Sequence, residues 1–159
     1  MKLVLGLFGL ENFYGGDITS YIELSQMGEE LGFDSVSVTD HVVMGKNLHK
    51  YPFGDFPLPS EAPWHEPLSL LTMIASHTAN IKLATAILIA PLRNPALLAK
   101  ICASLDHISD GRLALNITSG AGAVEARYGE NLAHDQRYRR SWEAVTILNR
   151  LWSEDRVDF

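Results

Sequence analysis

The chain has 159 residues, 47% of them hydrophobic, and a formal net charge of −6. That composition supports a packed core rather than disorder, and an acidic chain without a basic stripe argues against a nucleic-acid partner. The single cysteine, Cys102, rules out an internal disulfide framework or a cysteine-built metal site and suits the cytoplasm.

The opening MKLVLGLFGL has one lysine and then an apolar run, but Glu11 interrupts it and no small-residue cleavage pattern follows. A buried strand over residues 3–8 is therefore preferred to a signal peptide. Ile18, Tyr21, Leu24, Met27 and Leu31 recur at steps of three and four, which predicts an amphipathic helix. Asp17 stands where it can cap the start, and Gly32 where a left-handed C-terminal cap belongs. Residues 33–39 read as a second strand. The stretch from 42 to 65 carries Pro52, Pro57, Pro59 and Pro63 and predicts a long loop of the binding or lid type.

Glu66-Pro67 opens a second helix with Leu68, Leu71 and Ile74 on its apolar side. Residues 81–89 predict a third, aliphatic strand. Asn94-Pro95 starts a third helix, with Leu97, Ile101, Leu105 and Ile108 as its expected buried stripe and Gly111 as its end. Residues 112–118 predict a fourth strand, followed by a Gly-containing loop. Trp142, Val145, Leu148 and Trp152 then predict a fourth helix. Arg137, Arg139 and Arg140 are expected on a solvated helical face. No segment reaches the roughly 20 apolar residues of a membrane helix, so the expectation is a soluble cytoplasmic protein.

Four alternations of strand and helix favour a parallel sheet with right-handed crossovers. An open doubly wound sheet and part of a (β/α)8 barrel both fit. A full barrel takes roughly 250 residues, so this chain would supply about the first four β-α units.

Side chains alternate between the faces of a strand. In the second strand Val36, Val38 and Asp40 share one face, while Ser35, Ser37, Thr39 and His41 share the other. In the fourth, Leu113, Leu115 and Ile117 oppose Ala114, Asn116 and Thr118. Two strands thus carry polar groups to their carboxyl ends, the end at which both architectures bind ligands. The plainer alternative is that Asp40 and His41 only cap a strand and satisfy loop amides. SGAG, residues 119–122, suits either a phosphate or an ordinary tight loop. P-loop, metalloprotease and nucleophile-elbow motifs are missing, and the six histidines are scattered without an i, i+4 pair.

The ordered series GFDSVSVTDHVV, YPF, EPLSLLTMIASHT, IKLATAILIAPLRNPALLAK, LDHISDGRLALNI and RYRRSWEAVTILNRLW resembles the luciferase-like, flavin-dependent monooxygenase family. The resemblance runs from about residue 3 to residue 152. It implies a (β/α)8 TIM barrel that binds FMN or the deazaflavin coenzyme F420 in its carboxyl-end loops and oxidises a small organic substrate. By the same resemblance His41 faces the flavin ring or substrate. Thr85, Ala86 and Ile87 lie behind the ring at a bulged third strand, often with a non-prolyl cis peptide, and Asn116 and Thr118 line its edge. The overall series is similar to the F420-using branch, whereas NITSG is similar to the FMN-using sulfonate branch, so both cofactors stay open. A flavin reductase is an implied partner. Because family members continue beyond DRVDF, residues 1–159 are expected to form one partial domain. It would be truncated, self-associating or completed by a separate C-terminal-half chain, and the alternative is a non-catalytic homologue.

Overall fold

The computed structural model describes residues 1–43, 56, 58–59, 61–120 and 133–158. Among them are six short strands: β1 (Val4–Leu7), β2 (Ser35–Val38), β3 (Lys82–Thr85), β4 (Leu88–Ile89), β5 (Leu113–Ala114) and β6 (Ile117–Thr118). The helices are α1 (Thr19–Glu30), α2 (Pro67–Ala75), α3 (Pro95–Ile108) and α4 (His134–Ser153). Strands β1, β2, β3 and β5 form a parallel sheet in that order, and β4 pairs in parallel with β6. Sequential parallel order with a helix after each strand is the opening half of a (β/α)8 barrel. A doubly wound sheet would reverse its strand order part-way.

Local chemistry explains the helix ends. Glu66 and Asn94 accept hydrogen bonds from Ser69 N and Leu97 N, and Pro67 and Pro95 follow them at the first helical position. Asp17 accepts from both the amide and the hydroxyl of Thr19 at the mouth of α1. Gly32 takes φ +80 after α1, and Phe33 N donates back to Gly28 O.

Leu7, Val36, Val38 and Leu83 pack on the helical layer through Leu68, Leu71 and Ile74 of α2, Leu98 and Leu105 of α3, and Leu148 of α4. Three expected stripes differ from the observed ones. Helix α1 buries Ser20, Tyr21, Ser25 and Gly28, leaving Met27 and Leu31 exposed. Its close approach is the cause, since a Cβ at Gly28 would stand 3.0 Å from Leu5 Cδ2. In α3 the buried line is Leu98, Ala99, Cys102 and Leu105, one step round from Leu97, Ile101 and Ile108. In α4, Ala144 and Leu148 are buried, while Trp142 and Trp152 are exposed. A helix apolar on two adjacent lines can bury either, and the elements it packs against select which.

Two predicted strands are each divided. The third breaks at the Ala86–Ile87 peptide, which is cis, and the fourth breaks at 115–116. The breaks face each other and are bridged from both sides. Thr85 Oγ1 donates to Asn116 O at 2.7 Å and accepts from Asn116 N at 2.9 Å, and Asn116 Nδ2 donates to Thr85 O at 2.8 Å. Side chains here replace the missing ladder bonds, as at a bulge. Arg112, at the start of the fourth strand, locks α2 to the sheet. Its guanidinium donates to Ser109 O, Ala75 O, Thr78 O, Ile81 O and Thr78 Oγ1 at 2.7 to 3.1 Å. No helix among the described residues is long and apolar enough to cross a membrane.

Candidate functional site

On the face of the sheet turned away from the helices, strand register aligns Gly6, Ser37, Ala84 and Ala114 in one row. Four small side chains leave a shallow floor. Toward the carboxyl ends the same face continues through Thr39, Ala86 and Asn116 to His41.

His41 is half-buried in a cluster of rings. It stands edge-on to Trp64 at 4.5 Å between centroids and 74° between planes, and edge-on to Phe56 at 6.2 Å and 80°. Phe8, just beyond β1, leans on the same Trp64 at 5.6 Å. Such pairs contribute about 0.5–1.5 kcal/mol each beyond burial, so the imidazole is held in place while part of its edge meets solvent. An imidazole so placed can donate a hydrogen bond to a group seated at the rim.

Asp40, on the opposite parity, has a different task. It is 4% exposed, and its carboxylate accepts from Ile89 N at 2.8 Å and from Arg93 Nη1 and Nη2 at 2.6 and 3.0 Å. Arg93 also donates to Glu66 Oε1 at 3.1 Å. Burial alone would lower the Arg93 pKa, but the charge-assisted bonds to Asp40 and Glu66 outweigh it and raise it. The acid of the Asp40-His41 pair therefore ties β2 to β4 and to the start of α2, while the imidazole faces the rim.

The other expected residues lie on the neighbouring strands. Thr85 faces the helical layer, fully buried, with its hydroxyl engaged by Asn116. Ala86 donates its amide to Val38 O at 2.6 Å, and Ile87 stands 48% exposed at the rim. Asn116 is exposed as a residue, although its side-chain amide is anchored on Thr85. Thr118 accepts from Gly120 N at 3.2 Å. Gly120 has φ +78, and a Cβ there would meet Ile89 Cγ2 at 2.9 Å. The structure thus joins Thr85 to Asn116 directly and sets Thr118 one step beyond them. His41 is grouped instead with aromatic rings on the adjoining strand tip. Most of the long loop over 42–65, and residues 121–122 of SGAG, lie outside the described residues.

Sequence reasoning missed Trp64, which holds His41, and Arg93, which holds Asp40. The signal for Arg93 was an arginine inside a Pro-bounded turn after an aliphatic strand. Arg137, expected in solvent, is 9% exposed and donates to Gly120 O at 2.9 Å. Its position on the first turns of α4 brings it under the end of β6.

A floor of small side chains, an exposed aliphatic shelf at Ile87 and an imidazole at the border fit a planar, largely uncharged ring. Among the described residues the nearby cations, Arg93 and Arg137, are turned toward Asp40, Glu66 and Gly120 O, so this surface suits a ring better than its phosphate tail.

The sequence profile of the luciferase-like monooxygenase family matches residues 4–159. An F420-dependent glucose-6-phosphate dehydrogenase of Kineococcus radiotolerans is 32% identical over 151 residues, covering 94% of this chain and 40% of the relative. An FMNH2-dependent dimethylsulfone monooxygenase of Pseudomonas fluorescens is 39% identical over 97 residues, covering 60% of this chain and 26% of the relative. The chain therefore spans less than half the length of these curated relatives. A crystal structure of a monooxygenase from Streptomyces bottropensis superposes with a TM-score of 0.79 at 26% identity, covering 100% of this chain and 45% of that one. An F420-dependent secondary alcohol dehydrogenase, in complex with an F420-acetone adduct, superposes with a TM-score of 0.76 at 24% identity over 100% of this chain and 45% of its own.

Proposed function

Because the chain belongs to the luciferase-like monooxygenase family, we propose that it forms the ring-binding part of a cytoplasmic oxidoreductase that uses FMN or coenzyme F420 on a small organic substrate. When bound, FMN supplies oxygen activation and F420 supplies hydride exchange. The chain's own groups orient and exclude water. The small-residue floor and the Ala86–Ile87 segment seat the ring. Asn116, held by Thr85, and Thr118 bound its edge. Phe8, Phe56 and Trp64 keep water from the reacting edge, and His41 donates a hydrogen bond or proton to the substrate oxygen.

The observation that carries this reading is the edge-on packing of His41 against Trp64 at the carboxyl-terminal rim of a parallel sheet. Separate titrations of the purified chain with FMN and with F420, followed by fluorescence, test it. Saturable binding of either supports the reading. His41→Ala is then expected to lower turnover by about 10²-fold or more while ring binding persists. Full turnover in that variant removes the role of His41. Binding of neither cofactor leaves the alternative of a family member that keeps the fold without catalysis.

Among the described residues β1 and β5 are the outer strands of the sheet, and unpaired edges invite further strands. We propose that a second copy, or a separate chain carrying the remaining β-α units, pairs there, and that a flavin reductase supplies reduced flavin in the FMN reading. A monomer in sedimentation under conditions that support turnover counts against the paired edges.

A further inference from the structure

Glu11 lies on the short 3-10 turn Leu10–Asn12 that follows β1, and its residue is only 7% exposed. A carboxylate removed from water is costly unless both oxygens are engaged. Here they are. Oε2 accepts from the Tyr21 hydroxyl at 3.0 Å, and Oε1 lies in an ion-pair contact with His65 Nε2. Both atoms of that contact are buried and have no other polar partner among the described residues. Tyr21 is buried as well, and burial, reinforced by the Glu11 charge, raises its phenol pKa, so the hydroxyl stays a donor. The His65 ring meets the Tyr21 ring edge-on at 6.0 Å. Tyr21, Glu11 and His65 therefore tie α1, the turn after β1 and the approach to α2 into one knot.

His65 is the second of four consecutive residues that are each fastened to something different. Trp64 touches His41 and Phe8, and His65 is held by Glu11. Glu66 caps α2 and pairs with Arg93, and Pro67 begins the helix. Trp64 is the residue that sets His41, and its backbone is pinned on one side by the Glu11–His65 contact. The void between Trp64, His65, Tyr21 and Thr39 has a volume of about 10 Å³, at or below the room a water needs. Because His65 follows Trp64 directly in the chain and both line this small void, a displacement of His65 is passed on to Trp64.

We infer that Glu11 is a positioning residue for the candidate site: through His65 it fixes the indole of Trp64 and thereby the orientation of the His41 imidazole. This rests on the reading of His41 given above only where turnover is concerned; the geometric part is tested apart from it.

In a Trp142→Phe, Trp152→Phe background Trp64 is the remaining tryptophan of the three. Glu11→Ala and His65→Ala are each expected to red-shift Trp64 emission and to move the ring-current-shifted His41 ring signal in NMR, without any cofactor added. The double variant is expected to do no more than Glu11→Ala alone, because that change already removes the contact that His65→Ala removes. Arg112→Lys serves as the comparison: it lowers stability at a distance from the rim and leaves both signals in place. If Glu11→Ala does not fold, the isosteric Glu11→Gln, which keeps the tyrosine bond and loses the ionic contact, is expected to give a smaller displacement of the same signals. A folded Glu11 variant with unchanged Trp64 emission and His41 signal overturns the inference, as do effects at Glu11 and His65 that simply add. In the active enzyme Glu11→Ala is expected to lower kcat by about tenfold or more through misplacement, with cofactor binding nearly unchanged. Full turnover in His41→Ala would remove the proposed role of His41 and leave the optical and NMR results to decide the role of Glu11.

Discussion

Replacing Asp40 by Ala tests whether the acid beside His41 is a structural anchor. The carboxylate receives three hydrogen bonds, one from Ile89 N and two from Arg93, and its side chain is 1% exposed. Removing one member of a buried pair costs about 3–5 kcal/mol. Arg93 keeps Glu66 as a partner and its side chain is 16% exposed, which places the cost near the lower end, about 3 kcal/mol. With a urea m-value of about 2 kcal/mol per molar, the midpoint should fall by about 1.5 M. Asp40→Asn keeps the shape and one acceptor for Ile89 N but loses the charge, and should cost about 1.5–2 kcal/mol. Equilibrium urea unfolding followed by circular dichroism measures both. A loss below about 1 kcal/mol in Asp40→Ala, the scale of an exposed ion pair, would refute the anchoring role and reopen Asp40 as a group serving the rim.

Arg112→Lys should destabilise by about 2–3 kcal/mol, because an ammonium cannot reproduce a forked guanidinium reaching five acceptors across α2, β3 and the α3 end; thermal unfolding reads the loss. Glu29 accepts from the amides of Ala79, Asn80 and Ile81. Burial would raise its pKa, but those bonds outweigh it and hold the carboxyl below its ordinary value of 4.5. A depressed folded pKa means the stabilisation is complete above the ordinary value and is lost as pH falls through the lower, folded one. The stability gap between wild type and Glu29→Gln should therefore be constant near neutrality and shrink in acid, and a gap that widens on acidification would contradict the assignment. Burial pushes the Cys102 thiol up to about 11, so a disulfide reagent at pH 8 should label it slowly until denaturant is added.

Local features of the sequence carried much of the fold. The caps at Glu66 and Asn94 and the left-handed Gly32 rest on bonds within a few residues of themselves, so their residue types announce them. Strict alternation in SVSVTDH separated the core-facing valines from the rim-facing His41 for the same reason: side-chain direction along a strand follows from backbone geometry alone. The family resemblance added expected ring-facing positions and two cofactors, and the family match and the parallel fold agree with the family and the architecture it named. The placement of Asn116 on Thr85, however, shows an anchored amide where residue type suggested only a polar rim group.

What the chain order could not contain was partnership across distance. Asp40 meets Ile89 and Arg93, 49 and 53 residues away, and nothing near Asp40 distinguishes a carboxylate that anchors from one that reacts. The same limit applies to Glu11, legible only as an interruption of an apolar run until folding set it between Tyr21 and His65. Helix α3 offered two neighbouring apolar lines, and only packing against α2 and α4 decided that Leu98 and Cys102 turn inward while Leu97 and Ile101 face out. Periodicity determines that a helix has an inner face; packing against a particular surface determines which face that is.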